Sequence, residues 1–197
     1  MIRVAPLERG SSSAWARLFG ECGSTCFCRY WHFQGTKNDW LARCAHDADE
    51  NRREQVSSIE AGDPCSRGLV AWKGDLAVGW MKLVPRGCLG KLTRLPVYRS
   101  TKIGDDADVY SIGCLLVHPE HRKSGVARAL VAAADAQVRA WGGLAIEAYP
   151  RHTEGPLHDE EAWMGPESLF REAGYDASPG MGPYPVYRKA LGSNRAP

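Results

Sequence analysis

Between residues 109 and 149 an apolar run, a long amphipathic stretch and a second apolar run follow one another, and no other feature restricts the fold as strongly. Val109 to Val117 reads as a strand, stopped by Pro119. Ala127, Leu130, Val131, Ala134, Val138 and Trp141 then recur at helical spacing and mark one face of a long helix, closed by Gly142-Gly143. Leu144 to Tyr149 reads as a strand again. A helical crossover returns the chain to the starting end of a sheet, so these two strands are expected side by side and parallel.

The rest of the chain surrounds that unit with antiparallel elements. Ile2, Val4 and Leu7 suit a short first strand, and Ser11 to Ser13 can cap a helix through Phe19. The periodicity of Trp40, Leu41, Cys44, Ala45, Ala48, Val56 and Ile59 predicts one amphipathic helix from Thr36 to Gly62. Leu69 to Trp72 and Leu76 to Val84 flank Gly74-Asp75 and predict a hairpin. Residues 85–107 form a long basic connection with Gly87, Gly90, Pro96, Gly104, Arg86, Lys91, Arg94, Arg99 and Lys102. A polar loop over 151–165, a short helix from Pro166 to Glu172 and a last strand from Tyr184 to Ala190 complete a mixed α/β sheet.

A chain of 197 residues with 44% apolar content supports one substantial core, taken as a single domain over 1–191 with a tail over 192–197. The charges nearly cancel, 25 basic against 23 acidic, which gives no electrostatic case for nucleic acid or an anionic membrane. No run reaches membrane-spanning length and the start lacks an export signal, so the expected place is the cytoplasm, with the seven cysteines reduced.

The chemistry concentrates in Val117-His118-Pro119-Glu120-His121-Arg122-Lys123-Ser124-Gly125-Val126-Ala127. A strand ends, a turn follows and a helix begins within ten residues, so the free amides of the first helical turn face outward. Gly125 lets a ligand approach the backbone, Ala127 keeps the next turn small, and the helix dipole favours phosphate oxygens. Arg122, Lys123 and Arg128 add positive charge.

With these residues the chain resembles the GNAT acyltransferase superfamily, whose signature is Arg or Gln, two residues, Gly, one residue, then Gly or Ala, after a strand ending Val-x-Pro. Arg122, Gly125 and Ala127 match it, as does Val117-His118-Pro119, and Phe170-Arg171-Glu172-Ala173-Gly174-Tyr175 resembles the second signature. The resemblance implies a twisted mixed sheet of six to seven strands flanked by about four helices. It implies that Leu115 and Val117 align the pantetheine arm of acetyl-CoA or another acyl-CoA through their backbone. It further implies that Arg122, Lys123, Ser124, Gly125, Val126 and Ala127 hold the pyrophosphate, that Phe170 lies beside the arm, and that the thioester lies between two splayed strands.

The expected reaction is direct attack of a primary amine of a small molecule on the thioester, which needs a base and an oxyanion donor. Glu147 is the first candidate base and Asp108 the second. The family's second signature often carries a tyrosine that protonates the leaving thiolate. Phe170 stands there in this chain, so Tyr149, at the end of the strand carrying Glu147, is the candidate acid. One alternative keeps the fold but takes the acyl group from an acyl carrier protein docked on the basic connection. Another is a non-catalytic coenzyme-binding regulatory module. A monomer or homodimer suits either.

Cys22, Cys26 and Cys28, followed by Tyr30, Trp31 and His32, form the second unusual segment. Its Cys-x-Cys-x-Tyr-Trp run is similar to that of a bacterial subgroup of GNAT proteins, and its place implies that Tyr30 and Trp31 line the acceptor pocket. Zinc on the three cysteines is a less favoured reading, because the spacing is not a common ligand pattern, and no metal is assigned. Cys114, inside an apolar strand, reads as inert. His118, His121 and the acidic run 158–161 read as solvated.

Overall fold

The computed structural model describes residues 1–99, 108–155, 162–181 and 183–192. Seven strands, β1 (Arg3–Pro6), β2 (Gly68–Lys73), β3 (Leu76–Pro85), β4 (Val109–Val117), β5 (Ala145–Ala148), β6 (Asp176–Met181) and β7 (Tyr184–Ala190), lie in the order β1-β2-β3-β4-β5-β7-β6. β4 and β5 are parallel and all other neighbours antiparallel. β6 is absent from the sequence expectation because Asp-Ala-Ser-Pro-Gly-Met shows no alternation; it survives as the outermost strand, where a proline costs least.

Seven α-helical segments are described, α1 (Ser12–Glu21), α2 (Lys37–His46), α3 (Ala48–Ala61), α4 (Gly90–Thr93), α5 (Pro96–Arg99), α6 (Val126–Ala140) and α7 (Glu167–Glu172). Four of them have ten residues or more. The helix expected from Thr36 to Gly62 is two helices, broken at Asp47 with φ −144° and ψ 44°. Thr36 and Asp39 close a capping box on α2, and the two pieces bury different residues: Trp40 from α2, but Asn51, Gln55 and Ile59 from α3. Part of the long connection folds as α4 and α5, while Lys102 and Gly104 lie outside the described residues. So do the acidic run 158–161 and the tail beyond Gly192.

Alternate residues of each strand feed two cores. On one face Leu69, Met81, Leu83, Tyr110, Ile112 and Ile146 pack against Val126, Leu130, Val131, Ala134 and Val138 of α6 and against Leu169 and Phe170 of α7. On the other face Val70, Trp80 and Cys114 meet Trp15, Leu18 and Phe19 of α1, Ile59 of α3, and Phe27 and Cys28. A third cluster joins Trp31, Val84, Leu89, Leu92, Tyr98, Tyr149 and Met164. Gly79 is what lets α6 begin where it does: a Cβ there would lie 2.4 Å from the Val126 Cγ1. The first turn of α6 is thereby pressed onto the sheet beside the end of β4, where His118 N donates to Val78 O at 3.0 Å.

Candidate active site

β4 has nine residues but pairs with β5 only from Val109 to Ile112, opposite Ala145 to Ala148. Among the described residues Gly113 to Val117 therefore have no strand partner on that side, and the pairing of the two strands ends at Ile112. The registry between β3 and β4 shifts at the same place, with Lys82 opposite Cys114 and Leu83 opposite Ile112, leaving Gly113 unmatched. The freed Gly113 carbonyl accepts the indole N–H of Trp31 at 2.8 Å. Leu115 and Val117 lie on this open half of β4. Phe170 is fully buried behind it: a Cβ on Gly165 would touch both Leu115 Cδ1 and the Phe170 ring.

The turn after β4 carries the residues expected to bind an anion, and its main chain leaves a run of amides open. Hydrogen bonds along the chain stop at Arg122 N to Pro119 O and resume at Ala129 N to Gly125 O. Among the described residues the amides of Lys123, Ser124, Gly125, Val126, Ala127 and Arg128 have no main-chain acceptor. Lys123 and Gly125 adopt left-handed φ values of +56° and +87°, and that turn geometry makes an anion-binding concavity of successive amides. The Ser124 hydroxyl donates to His121 O at 2.6 Å and the Arg122 Nε to Val117 O at 3.5 Å, which ties the turn to the strand end. No atom lies within 4 Å of a Cβ placed on Gly125, so the approach to the amides is open.

Glu147 and Tyr149 are brought together on the opposite face, and both are buried. The Glu147 carboxylate receives Arg86 Nη1 at 3.1 Å, a close contact from Arg188 Nη1, and the Tyr149 hydroxyl at 2.8 Å; Tyr149 also shares a 2.8 Å bond with Ser111 Oγ. Burial, and then the Glu147 charge, push the Tyr149 phenol well above its usual range. Asp108 is exposed and lies at the paired end of β4, where its carbonyl accepts the amides of Leu144 and Ala145 at 2.7 and 3.3 Å. It is thus apart from the Glu147 group. Arg188 and Ser111 are absent from the sequence reading, and Arg86 figures there only as part of the basic connection. Ser111 and Arg188 are the register neighbours of Glu147 on β4 and β7, a relation visible only once the strand order is known.

Tyr30 and Trp31 belong to a cluster of rings beside the opening. Trp31 lies 5.4 Å from Trp163 and 4.8 Å from Tyr30, and Tyr30 lies 5.6 Å from Trp40. The Lys91 ammonium sits 4.3 Å above the Tyr30 ring. The neighbouring His32 has a buried, unpartnered Nε2; burial first, then Lys82 and Arg29, lower its pKa to about 3, so it is neutral at pH 7. A separate groove of about 410 Å³ runs between α6 and α7, from Arg128 to Lys189.

The cysteines depart from expectation at one place. Cys65 and Cys88 are joined in a disulfide, with Cα atoms 5.1 Å apart, so the reduced state expected of all seven does not hold for this pair. They flank the β2–β3 hairpin, whose antiparallel register brings its two ends together. Cys22, Cys26, Cys28, Cys44 and Cys114 are free. Among the described residues no three His, Cys, Asp or Glu side chains are arranged to hold a metal ion, Cys22, Cys26 and Cys28 included. None of the described helices is long and apolar enough to cross a membrane.

The parted strand pair and the turn of open amides lie within the stretch over which sequence comparison finds a family. Residues 29–156 match the acetyltransferase (GNAT) family, and the chain belongs to that family. None of the curated proteins matches the chain. Among solved structures, PaiA N-acetyltransferase from Thermoplasma acidophilum in complex with coenzyme A is similar at 11% identity and a TM-score of 0.54, over 96% of this chain and 99% of its own. A GNAT family acetyltransferase from Brucella melitensis in complex with acetyl-CoA aligns at 15% identity and a TM-score of 0.50, over 100% and 92%. An aminoglycoside 6'-acetyltransferase type Ii aligns at 13% and 0.55, over 98% and 99%. At these identities the likeness is one of fold.

Proposed function

We propose that the protein transfers an acetyl or other short acyl group from coenzyme A to a primary amine of a small molecule by direct attack. The observation that carries this reading is the uninterrupted run of six amides at residues 123–128 that have no main-chain acceptor among the described residues, placed where β4 leaves β5. In this reading the amides and Arg122 bind the diphosphate, the main chain at Leu115 and Val117 guides the pantetheine arm along the open half of β4, and Phe170 backs it. The thioester then lies near Gly113, where main chain unpaired on the β5 side supplies the donor for the oxyanion.

The acceptor enters from the opposite face, past Tyr30 and Trp31. Tyr149 is the proton donor for the leaving sulfur. Glu147, which accepts the Tyr149 hydroxyl, is the carboxylate to which the acceptor's proton passes, and Asp108 is the second candidate. The carrier-protein reading is less well supported, because two basic residues of the connection are engaged within the protein, Arg86 by Glu147 and Lys91 on the Tyr30 ring.

Titration calorimetry with coenzyme A and acetyl-CoA, followed by thiol-release assays over a panel of primary amines, tests the proposal. Binding together with amine-dependent thiol release is expected. Absence of binding to any coenzyme derivative removes the function, and binding without release from any amine leaves the regulatory-module reading.

A further inference from the structure

Lys82 lies in the middle of β3 with its side chain fully buried. Its ammonium makes one hydrogen bond, to Cys65 O at 2.9 Å, and no carboxylate lies within ion-pair distance of it among the described residues. An ammonium out of water without a counter-charge is costly, so either the amine sheds its proton or a neighbour supplies negative charge. Asp63 and Arg29 contribute at longer range and with opposite sign, and Asp63 already accepts the Cys65 amide at 2.8 Å. The groups best placed to answer the charge are two thiols. Cys114 is the register partner of Lys82 across β3 and β4, and Cys28 packs beside it in the same cluster.

The surroundings of Cys28 suit a sulfur that carries electron density. The Trp80 indole N–H donates to Cys28 Sγ at 3.4 Å. Phe27 and Cys28 both take left-handed φ values, +40° and +59°, a conformation that costs energy in a non-glycine residue and that turns this sulfur inward. Burial opposes ionisation of Cys28, but the Cys114 thiol, the Lys82 charge and the Trp80 indole together hold it below the usual thiol range, while Cys114 is pushed up.

We propose that Cys28 and Cys114 are a redox-modifiable thiol pair, in which Cys28, facing buried Lys82, attacks a hydroperoxide and Cys114 resolves the product. The Cys28 sulfur attacks one peroxide oxygen and the O–O bond breaks. The departing oxygen takes the thiol proton and leaves as water or an alcohol, with Cys28 as the sulfenic acid. The Cys114 sulfur then attacks Cys28, the S–O bond breaks, and water leaves with the Cys114 proton. Two thiols are oxidised to one disulfide and one hydroperoxide is reduced. The new bond would fasten the segment carrying Trp31 to β4, one residue from the Gly113 carbonyl that Trp31 already holds. The inference does not depend on the acyl-transfer reading, and its readouts are independent of activity.

The test treats the full chain with hydrogen peroxide, traps sulfenic acid with dimedone and maps the peptides by mass spectrometry. Wild-type protein should yield a Cys28–Cys114 crosslinked peptide, reversible by thiol reductant, with Cys65–Cys88 already bonded beforehand. Cys114→Ser should accumulate the dimedone adduct on Cys28. Lys82→Met, which replaces a buried charge by an apolar chain of similar length, should slow Cys28 oxidation about tenfold. The proposal is overturned if Cys22, Cys26 or Cys44 is marked before Cys28 in wild-type protein. It is equally overturned if folded Lys82→Met, checked by its melting curve, oxidises at the wild-type rate. The wild-type labelling order decides the matter even if that variant does not fold.

Discussion

The turn at residues 122–127 and the buried group around Glu147 serve the same pair of strands, yet they are built from different materials. The turn is local. Its elements are consecutive residues, its donors are main-chain amides, and only two left-handed positions and one glycine are needed to expose them. The Glu147 group is assembled from four segments, with Arg86 after β3, Ser111 on β4, Glu147 and Tyr149 at β5, and Arg188 on β7. Residues of one segment can be read together in a sequence, whereas side chains from four segments meet only after the sheet has formed. Energetically the contrast runs the other way. Loss of a turn amide's ligand costs binding, while loss of one charge in the buried group costs the fold.

Substitution of Glu147 should therefore give the largest effect. Glu147→Gln removes the buried negative charge that Arg86, 3% exposed in its side chain, and Arg188 share, and the expected loss is about 3–5 kcal/mol in urea unfolding. Turnover measured on that variant reports on chemistry only if calorimetry shows coenzyme binding intact. A shift below about 1 kcal/mol would mean that the arginines are solvated in solution, and the contrast drawn above would not stand.

His32 sharpens the same side of the comparison through pH. Its folded pKa of about 3 lies below the reference 6.5, so the unfolded chain binds the extra proton between those values. Stability is thus fully present above pH 6.5 and falls as pH drops towards 3, with a slope of up to about 1.4 kcal/mol per unit. His32→Asn should flatten this limb in thermal melts taken across the range. An unchanged limb would assign acid sensitivity to the carboxylates alone.

On the turn side, Gly125→Ala should cost about 1–2 kcal/mol, because an alanine must adopt φ of +87°. No protein atom opposes the added methyl, and an effect of similar size should fall on coenzyme affinity, with Kd raised about tenfold as the methyl meets the diphosphate. Equal affinity in the two proteins would place the anion elsewhere. Tyr149→Phe removes bonds to Glu147 and Ser111, and about 1 kcal/mol of stability should go with them, with a fall in kcat at unchanged coenzyme affinity if the phenol protonates the leaving sulfur.

How much of this was legible follows from the same distinction. The strand, turn and helix over 109–140, the β2–β3 hairpin and the parallel neighbour at 145–148 are periodic and contiguous, and the sequence announces them. The break at Asp47 and strand β6 are not periodic and were missed. Glu147 and Tyr149 stood out as polar groups at the end of an apolar strand. Their partners did not, because Arg188 reads as an ordinary strand residue until β7 is placed beside β5. The disulfide between Cys65 and Cys88 was hidden for the same reason, as its two halves are 23 residues apart and meet only at the ends of a hairpin.

The smallest expected effect separates main-chain binding from a diffuse positive field. Arg128 lies in the first turn of α6, close to the free amides, but its guanidinium holds Glu172 of α7 at 3.0 Å with both side chains largely exposed. Such a pair contributes about 0–1 kcal/mol to folding, and its charges cancel at the distance of a bound diphosphate. Arg128→Gln should accordingly leave the melting curve in place and change coenzyme Kd by about twofold or less. Arg122→Gln, which alters a side chain tied to the end of β4 through Val117 O, should raise Kd several times more. If the two variants weaken binding equally, and binding falls steeply with added salt, the diphosphate is held by the summed charge of the helix start and not by its oriented amides.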